Sequence, residues 1–154
     1  MNKIINNELD IRWYKKLQII HAVFTVFTFI FVLIVVIFNK QVTGNIITRN
    51  DNTLLYVALT ATVLFPIISN YVFNKRVEQI DLDEPVRFRF SNYLTASVFR
   101  YLWILGGGIL NLMVWFFTAN ILIGALLGVL FLVMLLVRPV KLKVIRTLRL
   151  KPVQ

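Results

Sequence analysis

The stretch RYLWILGGGILNLMVW, residues 100–115, combines an arginine, a glycine triplet and an asparagine with side chains that otherwise suit lipid or a buried core. It reads either as a site, with charge, backbone freedom and an amide gathered in one place, or as the way a membrane helix packs. Its flanks decide the fold. The stretch lies within an apolar run over residues 94–117, and comparable runs occupy 17–38, 53–73 and 121–137, the last extending back to about 119. A hydrocarbon layer about 30 Å thick is crossed by roughly 20 apolar helical residues. The runs are continuous rather than alternating at period 2 or 3.6, so they leave no polar face for water. The expected fold is all-α: a polytopic membrane protein of four transmembrane helices in an antiparallel bundle, a single membrane domain over residues 1–154.

Composition agrees. The chain is 58% hydrophobic with a mean hydropathy of +0.77, beyond the roughly 45–50% apolar share of soluble domains. It has no cysteine and one histidine, His21. Disulfides, thiolate metal sites, a cysteine nucleophile and His-based metal clusters are thereby excluded. No acidic residue falls inside an apolar run, and no nucleophile–base–orienter set can be assembled. The expectation is no catalytic activity, no metal and no cofactor. The net charge of +10 would suggest nucleic acid in a soluble protein. Here the basic residues flank apolar runs, the pattern that membrane topology produces, so nucleic acid is not an expected partner.

The first apolar run is far longer than the roughly 7–15 residues of a cleaved signal and ends in Phe38, Asn39, Lys40 and Gln41 rather than in small residues. It reads as an uncleaved anchor. Lys3, Arg12, Lys15 and Lys16 precede it; Lys75, Arg76, Arg87 and Arg89 lie in the connection over residues 74–93; Arg138, Lys141, Lys143, Arg146, Arg149 and Lys151 follow the last run. The other side holds only Lys40 and Arg49. Lysine and arginine in short loops mark the cytoplasmic side, so both termini are expected there. Trp13, Tyr14, Tyr71 and Tyr93 stand at the ends of the runs, where aromatic side chains favour the headgroup level.

The polar residues within the runs each admit a packing and a functional reading. Arg100 sits on the basic side of the third run, where a long side chain can reach headgroup phosphate or a loop carboxylate, or can contact an anion. His21, at similar depth in the first run, suits a hydrogen-bonding role or a pH response. Asn111 is the deepest amide and suits an interhelical hydrogen bond or a substrate contact. Pro66 is expected to kink the second run by freeing the carbonyl of Thr62.

Gly106, Gly107 and Gly108 either unwind the third helix, as at transporter binding sites, or let a neighbour approach closely. Gly124 and Gly128 form a GxxxG in the fourth run, the small-residue spacing of tight helix pairs. Reflection through Ala119 sets Gly128 level with Leu110 and Gly108 level with Leu130. The glycines of each run are therefore expected to receive the bulk of the other.

Glu78, Asp81, Asp83 and Glu84 in the basic-side connection lack EF-hand spacing and its glycine, so a solvated loop is expected. The tail RPVKLKVIRTLRLKPVQ mixes apolar and basic residues, which suits a short interfacial helix, although VKLKV alternates like a strand. Arg138, Lys141, Lys143, Arg146 and Arg149 are the expected lipid-headgroup contacts.

Three features together, TASVFRYLWILGG at residues 95–107, the TAN turn at 118–120 and the Arg-Pro-x-Lys tail closing on Leu-x-Leu, resemble small four-span inner-membrane proteins of Bacteroidota. The resemblance covers roughly residues 92–150. It implies a bacterial cytoplasmic membrane and no particular activity. In that pattern a glutamate follows the arginine of the third span by five residues; this chain has Leu105 there, which argues against a shared proton or cation role.

Two functions fit. The first is a structural or accessory four-helix protein that acts through an anionic bilayer and through a membrane-protein partner or further copies of itself. The second is a small oligomeric transporter or channel, for an anion passing Arg100.

Overall fold

The structure is a computed structural model that describes the backbone of residues 2–43 and 52–148 and the side chains of residues 12–39 and 52–148. These residues form α1 (Asn2–Thr43), α2 (Asn52–Glu78), α3 (Val86–Thr118), α4 (Ile121–Leu136) and α5 (Lys141–Thr147), with no strand among them. Three helices are long and apolar enough to cross a membrane: α1 over Arg12–Asn39, α2 and α3. The fourth differs from expectation. With 16 residues, α4 reaches only about 24 Å at 1.5 Å per residue. It qualifies only when joined to α5 across a 64° bend.

Pro139 explains the bend. A proline has no N–H and crowds the preceding turn, so α4 ends at Leu136 and its last carbonyls lose their usual donors. The N–H of Arg138 turns to Leu135 O at 3.3 Å instead of Met134 O. The tail beyond is helical, with Val144 and Leu148 buried, which settles the choice between helix and strand for residues 141–147.

Contacts between helices define the topology. His21 and Val35 of α1 meet Met134 and Gly124 of α4, in antiparallel order. Thr62 and Phe65 of α2 meet Asn111 and Gly107 of α3, again antiparallel. His21 and Phe31 of α1 meet Tyr101 and Gly108 of α3, in parallel order. The starts of α1 and α3 and the ends of α2 and α4 thus share one end of the bundle. That end carries Lys75, Arg76, Arg87, Arg89 and Arg138 and is called the basic end below. The α3–α4 hairpin lies between α1 and α2.

The hairpin turn is tightly specified. Ala119 adopts φ 49° and ψ 23°, and its N–H bonds Trp115 O at 2.7 Å, closing α3 in the left-handed cap conformation. Asn120 caps α4 through Oδ1, which accepts from Leu122 N at 3.0 Å. Thr118 Oγ1 donates to Val114 O at 2.9 Å and accepts from Asn120 N at 3.4 Å.

At the basic end the helices outrun the apolar runs. The expected loop over 74–93 is mostly helix, because α2 continues to Glu78 and α3 begins at Val86. Continuing the helix keeps backbone groups bonded where hydropathy already falls. The short connection folds Ile80 inward, with its N–H on Val77 O at 3.2 Å.

Three core clusters stack along the bundle. At the basic end Leu17, Phe73, Phe90 and Tyr93 pack with Val144 and Leu148 of α5. In the middle are Tyr101, Ile104, Leu130 and Met134. At the far end are Val35, Ala58, Trp115, Ile123 and Leu127. Outside, large apolar side chains cover the middle of the bundle, including Val26 on α1, Val63 on α2, Met113 on α3 and Leu132 on α4, each more than half exposed.

Candidate functional site

The polar residues of the bundle separate into three levels. At the far level Asn111 is fully buried, and its Nδ2 donates to Thr62 Oγ1 at 2.9 Å. Thr62 Oγ1 in turn donates to Ala58 O at 2.8 Å, an i−4 back-bond within α2. Asn111 therefore ties α3 to α2 one turn before Pro66, and α2 runs through Pro66 as one helix. Nearer the turn, Trp115 Nε1 reaches Asn39 Oδ1 at 3.4 Å and ties α3 to α1.

The glycines occupy the same stretch but not the seam expected of them. A Cβ at Gly107 would lie 3.0 Å from Phe65 Cβ, and one at Gly106 would lie 3.2 Å from Phe65 Cε1. Both face α2. A Cβ at Gly108 would meet Phe31 of α1 at 3.2 Å, with Leu127 of α4 only at 4.0 Å. At Gly124 the near atom is Val35 Cγ1 of α1, at 2.7 Å. Around Gly128 nothing lies within 4 Å. The reflection through Ala119 placed these glycines between α3 and α4. The bulk of Phe65, Phe31 and Val35 instead rotates them toward α2 and α1. The triplet stays inside continuous helix, with no positive φ at any described glycine.

The middle level centres on His21, which is buried in the seam of α1, α3 and α4. Its Nε2 lies 3.0 Å from Met134 O, and its ring meets Tyr101 edge-on at 5.3 Å. A carbonyl only accepts, so Nε2 carries the proton in this bond. The acceptor is the carbonyl that the Pro139 break deprives of its helical donor. About two turns of α1 further toward the basic end, Tyr14 OH donates to Pro139 O at 3.2 Å. His21 is thus a clip on the end of α4.

The basic level holds Arg100. Its guanidinium donates from Nη2 to Asn70 Oδ1 of α2 and stacks over the Phe73 ring at 4.8 Å. Its Nε is buried without an acceptor among the described residues. Among the described residues its side-chain acceptor is this neutral amide on the neighbouring helix, not a loop carboxylate. Arg100 also borders a cavity of about 70 Å³ beneath the α4–α5 bend, together with Tyr93, Ser97, Arg138 and Lys143. Alongside, Arg89 Nη1 donates to Leu148 O at 2.8 Å and closes the C-terminal end of α5.

Of the expected headgroup contacts, Arg138, Lys141, Lys143 and Arg146 are exposed, and Arg149 lies outside the described residues. Arg138 and Lys143 face the cavity with Arg100. Sequence reasoning missed that convergence, as it missed Asn70, Tyr14 and Arg89 as partners. Pro139 was the available signal, because a helix broken directly before a basic segment folds that segment back onto its neighbours.

No protein-family model, curated protein or solved structure matches the chain. Function therefore rests on the geometry.

Proposed function

We propose that the chain is a multi-pass protein of a bacterial cytoplasmic membrane, with four spans and both termini cytoplasmic. It acts as a structural or accessory bundle, through the bilayer and through a membrane-protein partner or further copies of itself, without catalysis. α4 supplies the fourth span, with α5 at the basic interface, and its short apolar length is matched by local thinning and by snorkelling of the flanking basic side chains. The observation that carries this reading is the distribution of polarity. Large apolar side chains cover the outward faces of α1, α2, α3 and α4, as lipid requires and water does not. Inside, the deep polar contact is a neutral amide–hydroxyl bond, Asn111 to Thr62.

The transport alternative needs a wet route joining Arg100, Asn111 and the glycines. The cavity at Arg100 is lined by none of the others. Asn111 is fully buried, and Phe65 and Phe31 fill the space over Gly107 and Gly108. These features favour the accessory reading.

The absence of cysteine makes the test direct. Single cysteines at Asn52, Gln79 and Lys141 are labelled in intact and permeabilised cells with a membrane-impermeant maleimide. Labelling of Asn52→Cys alone in intact cells is expected; labelling of Gln79→Cys or Lys141→Cys there overturns the topology. Purified protein in liposomes should pass neither chloride nor phosphate, and a flux above protein-free vesicles would return the transport reading.

A further inference from the structure

We propose that the cavity under the α4–α5 bend is a binding site for a phosphate group, of the kind carried by an anionic lipid headgroup or by free phosphate. It deepens the membrane reading above by naming the chemistry that the basic end recognises. Three cations border one space: Arg100 from α3, Arg138 from the bend and Lys143 from α5, with the hydroxyls of Tyr93 and Ser97 beside them. No carboxylate among the described residues lines it. Among the described residues no ion pair neutralises any of the three, and the sole side-chain acceptor of Arg100 is the neutral Asn70 amide.

A buried or half-buried cation without a counter-charge is costly in a low dielectric. Arg100 is held where it cannot simply leave. Phe73 stacks on its face, Asn70 holds Nη2, and Nε points into protein without an acceptor. Among the described residues nothing supplies a counter-charge to it. A carboxylate brings one charge and two oxygens. A phosphate offers more acceptor oxygens and suits a guanidinium fork combined with a lysine point charge. The cavity, about 70 Å³, exceeds several times the roughly 10–15 Å³ that admits one water.

Its position fits a headgroup, since it opens at the basic end beside Leu136, which is 85% exposed, where an acyl chain would run. Pro139 makes the site, because an unbroken helix would carry Arg138 and Lys143 away from Arg100.

The test uses the full chain, purified in neutral detergent and delipidated. Melting temperature is followed during titration with phosphatidylglycerol, with phosphatidylcholine and, separately, with inorganic phosphate. Phosphatidylglycerol or inorganic phosphate is expected to raise it, and phosphatidylcholine to do so far less. In Arg138→Gln/Lys143→Gln, both exposed positions, the apparent affinity is expected to fall roughly 30-fold, from about fivefold per removed charge. Lys15→Gln/Lys75→Gln removes the same charge at the same end, away from the cavity, and is expected to stay within about twofold of the parent. Stabilisation by inorganic phosphate that the cavity variant loses assigns a soluble ligand; stabilisation by phosphatidylglycerol alone assigns a lipid. Equal losses in the two double variants, or none in either, overturn the site and leave only diffuse surface charge. Extraction of native membranes with carbonate is read separately. Release of the chain would sink the membrane reading, while the inorganic phosphate titration would still decide the site.

Discussion

Replacing Gly124 and Gly128 with alanine, one at a time, sets two identical chemical changes in one helix against different surroundings. Each substitution removes the backbone freedom of glycine, worth about 1 kcal/mol in a helix interior. At Gly128 nothing lies within 4 Å of the new methyl, so Gly128→Ala should stabilise by about that amount. At Gly124 the methyl would lie 2.7 Å from Val35 Cγ1, well inside the roughly 3.5–4.0 Å of an ordinary carbon contact. Val35 cannot swing aside, because it is 2% exposed and its branched side chain has one strongly preferred rotamer in a helix. Overpacking of this kind costs about 1–3 kcal/mol. The propensity gain cancels in the comparison, so Gly124→Ala should be about 1–3 kcal/mol less stable than Gly128→Ala. Equilibrium unfolding in mixed micelles, followed by circular dichroism, measures that difference directly. Adding Val35→Ala to Gly124→Ala should recover part of the loss, as a double-mutant cycle would report. Two single variants within about 0.5 kcal/mol of each other would show that Gly124 is not at a close contact, and the assignment of α1 against α4 would fail with it.

The remaining expectations concern polar contacts. His21→Leu should destabilise by about 1–3 kcal/mol, because it leaves Met134 O without a donor; His21→Gln, which keeps an N–H within reach, should restore part of it, and no difference between the two would refute the clip. A cycle of Asn111→Ala and Thr62→Val should give a coupling of about 0.6–1.7 kcal/mol across the α2–α3 contact, measured by the same unfolding assay, whereas additivity would deny the bond. Asn120→Ala should cost about 1 kcal/mol through the lost cap on α4, while Asn120→Asp should keep most of it; equal losses would show that the capping oxygen is not the reason.

How much of this was readable in advance depended on whether a property was carried by one run or by the meeting of several. The helices follow from uninterrupted hydropathy, and the hairpin turn from Thr118, Ala119 and Asn120, because those signals are local. The facing of the glycines is not local. Rotation of α3 about its axis is set by Phe65 and Phe31 on other helices, so a reflection through the hairpin alone could not find it. The helix ends at Glu78 and Val86 were hidden for a different reason: hydropathy marks where lipid ends, not where backbone hydrogen bonding does. For Arg100, depth along the run was legible, but Asn70 lies on another helix at a separation that no spacing rule connects.

The Pro139 break links the levels of the bundle. Breaking α4 there exposes carbonyls, and side chains from other helices take them up: His21 on Met134 O, Tyr14 on Pro139 O and, where α5 ends, Arg89 on Leu148 O. Each acceptor is a neutral backbone oxygen, so these bonds fix the bend without neutralising charge. A charged acceptor would have been as effective a clip, and Glu78, Asp81, Asp83 and Glu84 lie on the same end of the bundle. They do not serve. Glu84 accepts from Asn92 at 3.3 Å, and Asp81 accepts from the backbone of Asp83 at 2.9 Å, both in the α2–α3 connection. Among the described residues the carboxylates thus stay to one side and neutral groups close the bend, leaving Arg100, Arg138 and Lys143 as net positive charge around one opening. A fold that needed only rigidity at this end could have paired those cations internally. That the described acids stand apart from these cations is what directs the basic end toward an external anion.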